Sequence, residues 1–176
     1  MTEELRTERT LLRRYTEKDR QIFAGLFTDK EVNFYMGGEH CGTIEDAYNL
    51  FEKVFDIYKG KYQGRYFEIR GIEYDGKLIG HFELKQTDIT EEDELEAVYL
   101  LDKKYWGRGL MPEILKQVNE YASRSGRKIV ATINPENTKT VKALGKAGIE
   151  TQKWIETPGG RTLKVVLKMQ KNQKIK

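Results

Sequence analysis

Several features that define common protein classes are missing from this sequence of 176 residues. It contains one cysteine, Cys41, which excludes a framework of internal disulfides. No apolar run approaches the roughly 20 residues that a helix needs to cross a bilayer. The charged start, MTEELRTERTLLRR, lacks the apolar core of a secretory signal. These absences predict a cytoplasmic protein with no membrane partner.

A strong charge of one sign is also missing. The 31 basic and 28 acidic residues leave a net charge of +3, which is too balanced to indicate nucleic-acid binding. The most basic segment is the C-terminal KMQKNQKIK, but no basic stripe interleaved with aromatic residues supports a nucleic-acid partner. We interpret residues 170–176 as a solvated basic tail that follows one domain of residues 1–169.

The sequence does have enough aromatic residues, 11% of the chain, to build a core beneath a surface rich in charge. Its periodicity predicts a strand at TLLRRY, two helices, three strands, a helix, a strand, a helix and two final strands. The Asp75-Gly76 pair predicts a hairpin between the first two of the three strands. The strand, helix and strand within residues 94–133 predict a parallel pair with a right-handed crossover. The expected fold class is α/β, with a mixed, mostly antiparallel sheet flanked by helices.

Two helices are predicted before the three strands. DRQIFAGLF places Ile22, Phe23, Leu26 and Phe27 on one apolar face. A second helix follows a loop and is expected to end at Gly60.

The stretch LLDKKYWGRGLMPEILKQV joins a predicted strand to a predicted helix through Gly107-Arg108-Gly109. One explanation is a tight turn that needs residues tolerant of positive φ. The other is an anion site, in which main-chain N–H groups at a helix start face a phosphate. Pro112 fits the first turn of that helix. The stretch lacks the GxxxxGK(S/T) motif of a P-loop, and it lacks the third glycine of the GxGxxG motif.

The order of these elements, with YWGRG after the third strand, resembles the GNAT superfamily of N-acetyltransferases. The branch that it resembles most includes the ribosomal-protein N-terminal acetyltransferases. Four stretches carry the resemblance and together span nearly the whole chain: LRTERTLLRRYTEKD, FTDKEVNFYMGG, ELEAVYLLDKKYWGRG and NPENTKTVKALGKAGI.

The resemblance implies an acyl-CoA N-acyltransferase fold that binds acetyl-CoA, with no metal, between the strand ending near Leu101 and the strand ending near Asn134. It implies that backbone at Leu100 and Leu101 pairs with the pantetheine arm. The pyrophosphate is expected at Gly107, Arg108, Gly109, Leu110 and Met111. Asn137 is expected to contact the pantetheine, and it also fits a helix N-cap.

Acetyl transfer to an amine requires a neutral amine, although an amine like that of lysine is mostly protonated at pH 7. Glu96 matches the family's glutamate position and is the expected base. Strand alternation places Glu94 on the same face, so it is a competing candidate, directly or through water. Further candidates are Glu83, Glu68, His81 and His40. The acidic run DITEEDELE is interpreted either as a solvated loop that includes Glu96 or as an attractor of a cationic substrate.

The proton donor is less well defined. Many members of the superfamily carry a tyrosine where this chain has Leu144. In the branch that it resembles, a serine of Asn-x-x-Ser lies near the thiol, and Thr140 holds that position here. Two further departures are Lys142, where an arginine is common, and Ile149, where an aromatic residue is usual.

We therefore expect an enzyme that moves an acetyl group from acetyl-CoA to a primary amine by direct attack in a ternary complex. No cysteine lies in these motifs to carry an acyl group. The acceptor is expected to be a small-molecule amine or a protein N-terminus, bound by residues 34–40, the second helix and the hairpin near Gly160. Tyr35, Met36 and Tyr58 are candidate lining residues. A homodimer is common in the family. The alternative is a non-catalytic acyl-CoA-binding module that regulates a protein partner.

Overall fold

The computed structural model describes residues 4–36, 41–62, 64–134, 136–157 and 160–167, and these form one eight-stranded sheet flanked by four α-helices. The strands are β1 Leu5–Arg6, β2 Thr10–Arg13, β3 Tyr66–Tyr74, β4 Lys77–Lys85, β5 Glu94–Leu101, β6 Lys128–Ile133, β7 Ile149–Thr157 and β8 Gly160–Leu167. The helices are α1 Arg20–Thr28, α2 Ile44–Tyr58, α3 Leu110–Arg124 and α4 Thr138–Ala147.

The sheet has the strand order β1-β2-β3-β4-β5-β6-β8-β7. Its pairs are antiparallel except β5 with β6, which run parallel because α3 carries the chain back across the sheet. This topology confirms the predicted mixed sheet with a central parallel pair. The proposed boundary at residue 169 stays a prediction, because residues 168–176 lie outside the described part of the chain.

The two faces of the sheet bury separate cores. On the rear face, Leu95, Ala97 and Leu101 of β5 pack in one cluster with residues of α3 and α4. On the front face, Leu100 joins the aromatic cluster of α1 and α2. Successive side chains of a strand point to opposite faces, so the near-continuous burial of β5 follows from helices or loops covering both sides.

One strand was missed by the sequence analysis, and one expected core residue was wrong. β1 was not anticipated, because two residues carry no detectable alternation. In α1 the buried residues are Phe23, Ala24, Leu26 and Phe27, whereas Ile22 is 47% exposed. Ala24 is buried with these residues, so the apolar stripe is centred on the side of the helix that leaves Ile22 at its edge.

The hairpin between β3 and β4 forms as predicted. Asp75 and Gly76 have φ angles of 49° and 70°, the left-handed pair that a two-residue turn between antiparallel strands requires. Gly80, four residues beyond this turn, lies directly opposite Leu101 in the ladder between β4 and β5.

We predict that Gly80→Ala destabilises the protein by about 1–3 kcal/mol, the usual cost of overpacking. A Cβ at this position would lie 2.5 Å from the Leu100 carbonyl oxygen and 2.7 Å from the Leu101 side chain. Gly25→Ala in α1 is the matched control, because nothing lies within 4 Å and its Cβ points to open space. The control should stabilise by roughly 0.5–1 kcal/mol. Urea unfolding of both variants provides the measurement, and equal effects would contradict the packing argument.

Candidate functional site

The candidate site is centred on a gap in the sheet. β5 and β6 pair over three positions, Glu94 with Lys128, Leu95 with Ile129 and Glu96 with Val130. Beyond these pairs, residues 97–101 continue to pair with β4, and residues 131–133 pair with β8. No ladder in the described chain joins these two segments. We call the gap between residues 97–101 and 131–133 the strand opening.

The Gly-Arg-Gly turn lies just beyond β5, at the start of α3. Gly107 and Gly109 have φ angles of 74° and 76°, so both glycines are required by the backbone conformation, as predicted. Gly109 is the N-cap of α3. Within the described chain, the N–H groups of residues 107–111 donate no hydrogen bond. The turn therefore presents free donors at the positive end of the helix dipole.

Arg9 holds this turn in place from the other end of the chain. Its main-chain N–H and its Nε donate to the two carboxylate oxygens of Glu113, at 2.9 and 2.8 Å. Its Nη1 donates to the Arg108 carbonyl oxygen at 3.0 Å. The Arg108 guanidinium lies 5.0 Å from the Tyr105 ring centroid and is exposed. Sequence reasoning missed Arg9, because its partners are about a hundred residues away.

Trp106 connects the turn to both sides of the strand opening. Its indole Nε1 donates to the Leu101 carbonyl oxygen at 2.8 Å. The Lys139 ammonium lies 4.0 Å from the indole ring centroid, within the range of a cation–π contact. Leu100 and Leu101 are both buried. The tryptophan thus fixes the end of β5 relative to the start of α4.

The start of α4 is capped by the asparagine that the sequence singled out. The Asn137 side-chain oxygen accepts from the Thr140 N–H at 3.2 Å, which confirms the N-cap interpretation. Asn134 is exposed at the end of β6, and its side-chain oxygen accepts from the Glu136 N–H at 2.9 Å. Both asparagines therefore lie at the mouth of the strand opening.

Tyr99 faces Thr140 from β5, on the rear side of the sheet. Its hydroxyl is buried without a hydrogen bond of ordinary geometry to any described residue, although Thr140 lies close enough to interact weakly. Burial raises the pKa of Tyr99 above its ordinary value, and Thr140 opposes this only in part. Leu144, where the sequence lacks the family's tyrosine, is buried in the rear core. Alternation along β5 was the signal that could have identified Tyr99.

Glu96 lies on the front side of the same strand and is only 8% exposed. Thr132 Oγ1 donates to one carboxylate oxygen at 2.6 Å, and Thr87 Oγ1 donates to the other at 2.9 Å. The Glu96 carboxylate is therefore buried and hydrogen-bonded, and the interpretation of it as a solvated carboxylate of the acidic run is wrong. It reaches the strand opening from the face opposite to Tyr99 and Thr140.

Two of the competing carboxylates are paired elsewhere. Glu94 is buried against the Lys164 ammonium. Burial alone would raise the pKa of Glu94, but the hydrogen bond and charge of Lys164 lower it below its ordinary value. Glu68 pairs with Arg70 on the rear face, away from Glu96.

A third carboxylate, Glu83, ends a buried chain of hydrogen bonds on the front face. The Tyr15 hydroxyl and His81 Nδ1 are 2.7 Å apart, and His81 Nε2 lies 2.9 Å from Glu83 Oε1. The Lys85 ammonium lies 3.1 Å from Glu83 Oε2. Burial would raise the pKa of Glu83, but the contacts with His81 and Lys85 outweigh it and lower the pKa to about 2.

The acidic run turns several of its carboxylates toward lysines. Glu91 lies 3.7 Å from the Lys153 ammonium, and Asp93 lies 2.7 Å from that of Lys128. These pairs are exposed and contribute little stability individually. They also reduce the negative field available to attract a cationic substrate.

The expected acceptor region is only partly described. Residues 37–40, including His40, and residues 158–159 lie outside the described chain. Tyr35 is 38% exposed, and its hydroxyl lies 3.4 Å from the Glu136 carbonyl oxygen, so it extends toward the mouth of the strand opening. Tyr58 has a structural role instead, since its hydroxyl donates to the Ile69 carbonyl and accepts from the Tyr15 N–H.

The described residues lack both a membrane-spanning helix and a cluster of metal ligands. No helix there combines the length and the hydropathy needed to cross a bilayer. No group of three or more His, Cys, Asp and Glu side chains there is arranged to hold a metal ion.

Comparison with known proteins places the chain in a family. Residues 9–150 match the model of the acetyltransferase (GNAT) domain. An uncharacterized N-acetyltransferase, p20 of Bacillus licheniformis, is 27% identical over 152 residues, which cover 85% of this chain and 84% of that protein. The chain therefore belongs to the acetyltransferase (GNAT) family, as its motifs predicted, and its class is that of an acetyltransferase enzyme.

Solved structures share the fold. AAC(6')-Ib in complex with ribostamycin and coenzyme A superposes with a TM-score of 0.74 at 20% identity, covering 91% of this chain and 93% of that one. Mycobacterium smegmatis RimJ in complex with CoA-disulfide also has a TM-score of 0.74, at 17% identity, covering 94% of this chain and 85% of that one.

We predict that Glu83 makes the stability of the protein depend on acid pH. Its pKa falls from 4.5 in the unfolded chain to about 2 in the folded one. The stabilisation is therefore present above pH 4.5 and is lost as the pH falls toward 2, with a magnitude on the order of 3 kcal/mol. Glu83→Gln should flatten this part of the curve of unfolding free energy against pH. Glu92→Gln, at an exposed site, is the control, and identical curves for the two variants would contradict the assignment.

Proposed function

We propose that this protein is an acetyl-CoA-dependent N-acetyltransferase that acts on a primary amine by direct attack in a ternary complex. The observation that carries the proposal is the strand opening. It ends at a turn whose five N–H groups have no hydrogen-bond acceptor among the described residues. A thioester supplies the activated acetyl group, and the residues around the opening supply binding and proton transfer. Solved relatives of this fold carry coenzyme A, which supports the choice of co-substrate.

The residues of the turn fit a pyrophosphate. Amides of Gly107, Arg108, Gly109, Leu110 and Met111 would donate to its oxygens, and glycine lets these oxygens approach the main chain. The exposed Arg108 guanidinium would add charge. Main chain at Leu100 and Leu101, together with Asn134 and Asn137, borders the strand opening where the pantetheine arm would lie.

Glu96 is the proposed base, directly or through a water molecule. It is the front-face carboxylate of β5 that is held by neutral hydroxyls, whereas Glu94 is paired with a lysine. Its oxygens each accept one hydroxyl hydrogen bond and keep a lone pair for a further donor. Removal of a proton from the incoming ammonium would generate the neutral nucleophile.

Tyr99 and Thr140 are the proposed hydrogen-bond donors to the leaving thiolate. They face each other across the rear side of the strand opening, opposite to Glu96. A tyrosine hydroxyl is protonated at neutral pH, as a donor requires, and burial raises the pKa of Tyr99 further. Nucleophile activation and thiol departure would thus take place on opposite faces of the sheet.

Direct attack is preferred to a covalent acyl-enzyme. Cys41 lies beside the front core, and burial raises the pKa of its thiol, which lowers the thiolate fraction that a nucleophile needs. The proposed acceptor is a small-molecule amine or a protein N-terminus. The solved relatives include a complex with the aminoglycoside ribostamycin and a RimJ protein, which supports an amine as acceptor.

We predict that the protein binds acetyl-CoA and coenzyme A far more tightly than ATP in a calorimetric titration. Gly107→Val should weaken this binding at least about tenfold, or about 1.4 kcal/mol, because its side chain would block the phosphate approach. Gly126→Val is the matched control, since Gly126 has the same φ of 74° and equally open surroundings at the other end of α3.

Equal losses in the two variants would mean that turn strain, rather than phosphate access, weakens binding. The absence of any binding by the parent protein would overturn the proposal. Binding without thiol release in the presence of amines would instead identify an acyl-CoA-binding module.

We predict different pH profiles for Glu96→Gln and Tyr99→Phe. Glu96→Gln should lower turnover mainly near pH 7, with recovery as the pH rises toward the pKa of the amine, because free amine then becomes abundant. Tyr99→Phe should lower turnover by about 10- to 100-fold at every pH, while the affinity for coenzyme A is unchanged. Thiol release followed from pH 6 to 10 is the measurement, and parental activity across this range would remove the substituted residue from the mechanism.

A further inference from the structure

A second cavity lies on the rear face, away from the strand opening. It has a volume of about 220 Å³ and lies between the sheet and the C-terminal half of α3. Four buried apolar residues form its floor: Leu12, Phe82, Leu84 and Val118. Six positions of α3 separate Gln117 in its lining from Met111 at the end of the Gly-Arg-Gly turn, or roughly 9 Å along the helix axis.

An ion pair is built into the wall of this cavity. Arg70 Nε donates to Glu68 Oε2 at 2.7 Å, and both side chains belong to β3. Arg70 is only 5% exposed. The hydrogen bonds of the described chain include none donated by its two terminal nitrogens and none accepted by Glu68 Oε1. The two terminal nitrogens of the guanidinium therefore remain available as donors in the wall of a partly open cavity.

Burying the Arg70–Glu68 pair has an unfavourable free energy of desolvation if the pair serves only to stabilise the fold. Moving a guanidinium and a carboxylate out of water is unfavourable, and a single contact through Nε recovers only part of that cost. Protein interiors are otherwise packed with few voids larger than a water molecule. An apolar pair at positions 68 and 70 would fill the space and remove both penalties. A bound ligand supplies what the cavity lacks, namely an acceptor for the terminal nitrogens of Arg70 and apolar volume over the floor.

We propose that this cavity is a second small-molecule site, which binds a carboxylate with a compact apolar body. The carboxylate would accept two parallel hydrogen bonds from the terminal nitrogens of Arg70, the geometry that guanidinium favours. The apolar body would cover Phe82, Leu84 and Val118. A cavity of roughly 150 Å³ holds benzene, so the available volume suits such a body together with its carboxylate. The proposal does not rest on the acetyltransferase function.

Glu68 distinguishes between two classes of ligand that carry a carboxylate. Its Oε2 is bound by Arg70 Nε, so its Oε1 would be available to accept from an ammonium group on the same ligand. Two kinds of ligand fit the site: a simple branched carboxylate and an amino acid with a branched side chain. Both offer a carboxylate to Arg70, but only the amino acid also offers an ammonium group to Glu68.

The test is a calorimetric titration of the full chain with isocaproate, L-leucine and isoamylamine, with and without acetyl-CoA. We expect isocaproate and leucine to bind once per chain, unaffected by acetyl-CoA, and isoamylamine not to bind. Arg70→Gln should weaken binding at least about tenfold, while Arg20→Gln, at an exposed arginine on α1, should leave it unchanged. Binding of leucine alone also supports the site and assigns the ammonium to Glu68.

Because Arg70→Gln leaves Glu68 unpaired and can impair folding, Gln117→Phe provides an independent variant. Gln117 lines the cavity from α3, and it is not one of the two partners of the ion pair. Its replacement should fill the space and abolish binding while the thermal midpoint is retained. The proposal is overturned if none of the probes binds, if isoamylamine binds as well as isocaproate, or if binding survives both substitutions.

Discussion

The site depends on how early the parallel ladder between β5 and β6 ends. Three residue pairs hold these strands together, and the chain then commits each strand to its antiparallel neighbour. Main chain bordering the strand opening is left without a ladder partner in the described chain, and an unpaired edge is costly unless something hydrogen-bonds to it. The Gly-Arg-Gly turn, Trp106 and the start of α4 all lie around this edge.

The same geometry places the candidate catalytic side chains on different faces of the sheet. Alternation along β5 sends Glu96 to the front, where two threonine hydroxyls hold it, and sends Tyr99 to the rear, where it faces Thr140. The proposed base and the proposed donors to the thiolate therefore lie on opposite faces of the sheet.

Features encoded within short segments could be predicted from the sequence. The bounds of β5, the Asp75-Gly76 hairpin and the positive-φ glycines follow from local alternation and turn chemistry. Contacts across the fold could not. The hydrogen bonds between Arg9 and Glu113 join segments about a hundred residues apart. The sequence around a charged residue does not identify a partner at that distance. The same holds for the burial of Glu96 amid an acidic run.

The environment of Trp106 also has an optical consequence. The chain has two tryptophans, and the other one, Trp154, is half exposed on β7 beside Arg161. The Trp106 indole donates to the Leu101 carbonyl and lies against the Lys139 ammonium at the end of the strand opening. Its emission depends on that hydrogen bond and that charge, so the chain carries an intrinsic fluorophore at the point where a pantetheine arm would pass.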